Sequence, residues 1–160
     1  MEQAQQHAAA SAQYLGFRVG GEEYATDILR VQEIKCWDGV TRVPHTPPYL
    51  LGVINLRGSI VPVIDLRLRL VRGPAAFEPT TAVVVVQVSG ARGRRTVGLV
   101  VDAVTRVHDI EPGMIGPSPT LADGGGSGFI EGIADVDRHL VIILDTQRLV
   151  TESVESDADA

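Results

Sequence analysis

The sequence is short of several things, and each shortage excludes a class of protein. A single cysteine, Cys36, stands among 160 residues. No disulfide can therefore form within the chain, which fits a reducing compartment. No apolar run approaches the roughly 18–20 residues that cross a bilayer as a helix. Residues 1–13 are rich in Ala and Gln and lack the basic and apolar stretches of a signal peptide. The expectation is a soluble, cytoplasmic protein. Bases are outnumbered, 14 against 20 acids, for a formal net charge of −6. Four of the acids, Glu152, Glu155, Asp157 and Asp159, lie in an acidic tail over 152–160, and without them the net charge is −2. Neither body nor tail offers the basic face that nucleic acid demands, and aromatic residues for base stacking are only 4%.

What remains is a chain with 44% hydrophobic residues, enough for the core of one ordinary domain. The apolar residues come in short runs between turn signals. Tyr14–Val19 reads as a strand closed by Gly20-Gly21, with a brief return at Tyr24-Ala25. Asp27–Arg30 reads as a capped helical turn and Val31–Trp37 as a strand. Pro44–Pro48 breaks the pattern. Gly52–Arg57 and Ile60–Leu66 form two apolar runs joined by Gly58-Ser59, which is hairpin chemistry. Pro62 inside the second run points to an edge or a bulge. Residues 73–80 read as a linker; Thr81–Val88 and Thr96–Val104 read as a buried hairpin with a basic tip at Arg92, Arg94 and Arg95. A loop rich in Gly, Pro and Ser follows over 116–128, then a last hairpin, Ile130–Val136 with Leu140–Leu144, and a terminal helical turn over Gln147–Thr151. Many short strands with little helix predict an all-β fold, barrel or sandwich.

The chain also repeats itself. Gly52–Asp65 aligns without gaps to Gly132–Asp145, and Ile28, Val31 and Ile34 match Val101, Val104 and Val107. Such a repeat predicts two small barrels of one topology packed on a shared apolar core, since each alone is too small to be stable. The expected division is an arm over 1–13, a first subdomain near 14–72, the linker 73–80, a second subdomain near 81–151, and the tail 152–160.

Catalytic and metal chemistry finds little support. Asp65, Asp102 and Asp145 each follow an apolar run, a position that suits strand-end turns better than acid–base work. His7, His45, His108 and His139 are scattered, and none stands at ligand spacing from Cys36 or from another histidine. Gly124–Gly128 is not followed by the Lys-Ser/Thr of a phosphate loop. No cofactor or metal is expected, and no enzymatic activity.

Four segments taken together resemble the CheW family of chemotaxis coupling proteins: Asp27–Ile34, Val40–Pro44, Tyr49–Gly58 and Ile60–Arg67. Val97–Val104 matches more loosely, and the likeness extends over about Tyr14 to Val150. The resemblance implies two five-stranded β-barrels around a common hydrophobic core, without catalytic activity. It implies a scaffold that joins the histidine kinase CheA, through its CheW-like regulatory domain, to the tip of chemoreceptors, and a monomer when free. By motif position it assigns kinase or receptor binding to Val31, Glu33, Gly52, Arg57, Gly58, Gly98, Val104 and Val107. The residue types suit the task. Valines can floor a groove for a helical hairpin, and glycines permit close backbone approach. A guanidinium at Arg57 has Glu33 as a natural partner. The aligned position in the second copy is Asp137, which singles out Arg57 as more than fold. A small-barrel nucleic-acid-binding protein is the competing reading, disfavoured by charge.

Overall fold

In a computed structural model, the structure describes residues 12–70, 76–90, 93–117 and 127–155. The strands in chain order are β1 (Ala12–Val19), β2 (Glu22–Asp27), β3 (Val31–Cys36), β4 (Leu50–Leu56), β5 (Ser59–Asp65), β6 (Ala82–Gly90), β7 (Gly93–Val101), β8 (Ala103–Ile110), β9 (Ile115–Gly116), β10 (Ile130–Val136) and β11 (His139–Leu144). Two short helices, α1 (Leu66–Leu70) and α2 (Thr146–Val150), follow β5 and β11. The all-β expectation holds. One sheet runs β3-β6-β7-β5-β4 and the other β8-β1-β2-β11-β10-β9; they are called lobe 1 and lobe 2 below. Lobe 1 has the expected five strands. Lobe 2 has a sixth, the two-residue β9. Neither sheet is a closed barrel: the gap between β3 and β4 is narrowed by a bridge in which Thr41 and Val53 exchange both backbone hydrogen bonds, at 2.9 and 2.8 Å.

The repeat is real at the level of register. In lobe 1 Leu50 faces Ile64 and Gly52 faces Val63; in lobe 2 Ile130 faces Leu144 and Gly132 faces Ile143, with a bulge at the same step. Val63 runs parallel beside Gly98 as Ile143 does beside Ala25. Val31 faces Val86 as Val104 faces Phe17, and Ile34 faces Val84 as Val107 faces Leu15.

The expected subdomains, however, are units of sequence and not of folding. Lobe 1 takes β3, β4 and β5 from the first repeat and β6 and β7 from the second. Lobe 2 takes β8, β10 and β11 from the second and β1 and β2 from the first. The connections give the reason. Within one lobe β8 is antiparallel to β1 and β1 to β2, so β8 runs parallel to β2. If β3 took the β8 place in the sheet of β2, it would also have to run parallel to β2. Parallel strands need a crossover of a dozen or more residues. Only the turn Ile28–Arg30, capped by Asp27 Oδ1 on the Leu29 amide at 2.9 Å, joins β2 to β3. Only Asp102 stands between β7 and β8. Connections this short send the chain into the other lobe. That break at Asp102 also corrects the single strand expected over Thr96–Val104: β8 is a separate strand and extends to Ile110.

Burial follows from this exchange. On β6, Val84, Val86 and Val88 face the core between the lobes, while Val83 and Val85 face the interior of lobe 1. A strand buried on both faces explains the unbroken valine run. Leu15, Phe17 and Val19 of β1 join the central core with Leu99, Val101, Leu149 and Val150. Fully burying such side chains stabilises by about 1.5–3 kcal/mol each, and most of that area exists only when the lobes are together.

Smaller expectations are refined. Ala12 and Gln13 belong to β1 and not to an arm. Pro62 lies on a central strand, tolerated because the described pairing of β5 with β7 begins at Val63. The segment Thr151–Glu155 continues α2 as a helical turn and buries Ser153, so the tail begins later than residue 152. Arg69 ties it down, donating to Ser153 Oγ at 2.9 Å while its guanidinium lies between the Tyr49 and Phe129 rings. The glycines 124–126, Arg92 of the basic hairpin tip and residues 156–160 lie outside the described residues, while Arg94 and Arg95 pair on β7 with Ser89 and Val88.

Candidate functional site

The β4–β5 turn is made by Arg57 and Gly58, with φ of 50° and 89°. It sits one residue earlier than the hairpin dipeptide read from sequence, and it is the arrangement that matches strand twist in a two-residue hairpin. Asn55 stabilises it by accepting the Gly58 amide on Oδ1 at 2.8 Å. Arg57 therefore projects from a turn and is not a strand end, with 75% of its side chain exposed. Its Nη1 lies 2.8 Å from Glu33 Oε2 on β3. No hydrogen bond joins them although Glu33 Oε2 is buried, so charge alone holds the pair; with the arginine largely in solvent it contributes about 0–1 kcal/mol. The guanidinium thus lies beside Glu33 and keeps most of its donors for a partner. The matching turn of lobe 2 holds Asp137 and Arg138, with φ of 51° and 69°.

Val31 and Val104 stand at equivalent places on β3 and β8, half-buried against the central core. Val107 is 45% exposed and its equivalent Ile34 is 46% exposed. A groove of about 320 Å³ lies between these two strands, lined by Ile34, Cys36, Thr80, Ala103 and Val104 among others. Its surface is mainly apolar. The structure thus brings together Glu33, Arg57 and Gly58 at the hairpin of lobe 1, and Val104 with Ile34 in the groove.

Gly52 and Gly98 serve packing. A Cβ on Gly52 would run into the Thr41 carbonyl oxygen, so the glycine is what lets the Thr41 bridge close over β4. A Cβ on Gly98 would lie 2.8 Å from Val83 Cγ1 and 3.4 Å from Val63 Cγ2. It is buried on β7 between β5 and β6. Ile34 was not singled out from sequence, although its alignment with Val107 marked it. Two of the strand-end aspartates make turns: Asp65 accepts the Arg67 amide and Asp145 the Arg148 amide. Asp102 instead accepts the amide of Gly20 across the fold, tying the β1–β2 turn to the β7–β8 junction. Among the described residues no His, Cys, Asp and Glu group is placed to hold a metal, and no helix is long and apolar enough to cross a membrane.

The family model for the CheW-like domain matches residues 13–154. The chain belongs to the CheW family. It is 37% identical to a probable chemotaxis protein CheW of Rhizobium etli, over 90% of each chain. It is also 37% identical to the chemotaxis protein CheW of Klebsiella aerogenes, over 87% of this chain and 81% of that one. The crystal structure of the scaffolding protein TtCheW from Thermoanaerobacter tengcongensis superposes with a TM-score of 0.76 at 34% identity, covering 86% of both chains. The resemblance read from the motifs is therefore confirmed, and with it a scaffold or adaptor function in chemotaxis signalling. The nucleic-acid reading has no support.

Proposed function

We infer that this CheW-family chain couples the cytoplasmic tip of chemoreceptors to the histidine kinase CheA and performs no catalysis itself. The observation that carries the reading is the apolar groove between β3 and β8. It is open, lined by the exposed Ile34 and by Val104, and flanked by the edge strands β3 and β8, a surface that suits the apolar face of a helical hairpin. Arg57, held beside Glu33 and still largely exposed, supplies a charged anchor that selects among partners more than it adds affinity. Edge strands present unpaired backbone groups, and the regulatory domain of CheA, itself CheW-like, can dock against them. Val31, Glu33, Arg57, Gly58, Val104 and Val107 are the residues proposed to contact kinase or receptor, while Gly52 and Gly98 act through the shape of lobe 1. The working place is the cytoplasmic face of receptor arrays.

The test is co-elution with a chemoreceptor tip fragment and, separately, with the regulatory domain of CheA. A folded protein that binds neither refutes the proposal. Arg57→Ala is expected to melt as cooperatively as the parent, since its ion pair contributes little, yet to weaken assembly of the ternary complex. Unfolding of that variant would instead make Arg57 a structural residue.

A further inference from the structure

Gly16 sits in the middle of β1, and what forbids a side chain there is its surroundings. A Cβ would lie 2.6 Å from Thr105 Oγ1, 2.7 Å from Glu23 Oε2 and 2.8 Å from His108 Nε2. These three groups meet over the glycine. His108 Nε2 lies 2.6 Å from Glu23 Oε2, and the Thr105 hydroxyl donates to the same oxygen at 2.8 Å. His108 is 5% exposed. Burial by itself would raise the Glu23 pKa; the bonds from His108 and Thr105, with the charges of His108 and Arg18, bring it below the ordinary glutamate range instead. The cluster spans three strands, from β8 over β1 to β2. It also straddles the bulge at which Thr105 and Arg106 together oppose Gly16.

The fold does not require this cluster. The equivalent positions in lobe 1 are Val85 for Gly16, Gln32 for Thr105, Lys35 for His108 and Thr96 for Glu23. The same register step forms there, with Val85 in the apolar interior of the lobe. The duplicated half is thus an internal control, and it shows that pleating and bulge need no polar clamp. A bulge re-aims side chains, and this one lies between Val104, which lines the groove, and Val107, which is exposed beside His108. A polar network that gathers two β8 side chains onto one β2 carboxylate oxygen adds directional bonds that hold the segment in one arrangement.

We propose that Glu23, Thr105 and His108 are positioning residues that lock the bulge of β8 and so set Val104 and Val107 for the receptor's helical tip. The proposal rests on the coupling function inferred above. It is tested with the full-length protein titrated against a soluble chemoreceptor tip fragment and, separately, the CheA regulatory domain. Wild-type binding to both secures the coupling reading. Glu23→Ala, which strips His108 and Thr105 of their shared acceptor, is expected to weaken tip binding about tenfold. It should leave the regulatory domain within about twofold and speed amide exchange over 103–110. Thr105→Val removes one of the two bonds and should weaken tip binding about threefold; it serves as the milder variant if Glu23→Ala melts without cooperativity. Tip affinity unchanged in both folded variants overturns the proposal and leaves coupling intact. An equal loss for both partners also overturns it, because that marks general loosening. Wild-type failure to bind either partner overturns the coupling reading and this one with it.

Discussion

Replacing Arg67 by methionine should be among the most damaging single changes in this protein, although Arg67 is not among the proposed contacts. Its side chain is 2% exposed and that of Asp65 5%. Nε and Nη2 bond the two Asp65 oxygens at 2.9 and 3.1 Å. Nη1 donates to the Ala76 carbonyl at 2.7 Å and lies 3.4 Å from Asp102 Oδ1. The guanidinium also covers the Phe77 ring, which stacks on Trp37 at 4.3 Å between centroids. One cation thus pins α1, the linker between the repeats and the β7–β8 junction. Methionine keeps much of the volume but leaves the Asp65 carboxylate buried without its counter-charge. Breaking a buried pair from one side costs about 3–5 kcal/mol. For a chain of this size that lowers the melting temperature by on the order of 10 °C. Urea denaturation followed by circular dichroism at pH 7 measures it. The double variant Asp65→Asn with Arg67→Met removes both charges, keeps an acceptor for the backbone amide of residue 67, and should return to within about 1–2 kcal/mol of the parent. A single variant within about 1 kcal/mol of the parent, or a double variant no better than the single, would refute the assignment of Arg67 as a buried ionic clamp.

Three further outcomes follow from the same geometry. Ile64→Ala, at a fully buried site between the lobes, should cost about 2–5 kcal/mol in the same assay. Gly52→Ala forces a side chain onto the Thr41 carbonyl; it should destabilise by about 1–3 kcal/mol and expose the β4 edge, read as faster amide exchange at Val53. Glu23 has its folded pKa depressed, so its contribution is present above the ordinary glutamate range and is lost as pH falls through the depressed value. Stability measured between pH 6 and about 3 should therefore fall less steeply in Glu23→Gln than in the parent, and parallel curves would show that the carboxylate has no stabilising role.

The sequence by itself was enough for most of the strands, the all-β class, the internal repeat and the family, but not for β8 as a separate strand or for β9. Those features are local or periodic: alternation and turn residues fix strands, and Asn55-Leu56-Arg57-Gly58 carries hairpin chemistry wherever it is placed. The Glu33–Arg57 pair was legible for a similar reason, because residue types of opposite charge near one hairpin limit the options. The packing role of Gly98 was not legible, because a glycine that makes way for Val83 reads the same as one that makes way for a partner. His108 looked like a scattered histidine, since nothing local links it to Glu23 or to a glycine on β1. The lobes themselves were invisible for a deeper reason. Repeat units and folding units share the same strands and the same register, and pattern alone cannot say which copy supplies the last two strands of a sheet. That is decided by chain geometry: a turn at Ile28–Arg30 and a single residue at Asp102 are too short for a parallel crossover. Each repeat must therefore complete the other, and the groove between β3 and β8 exists only because it does.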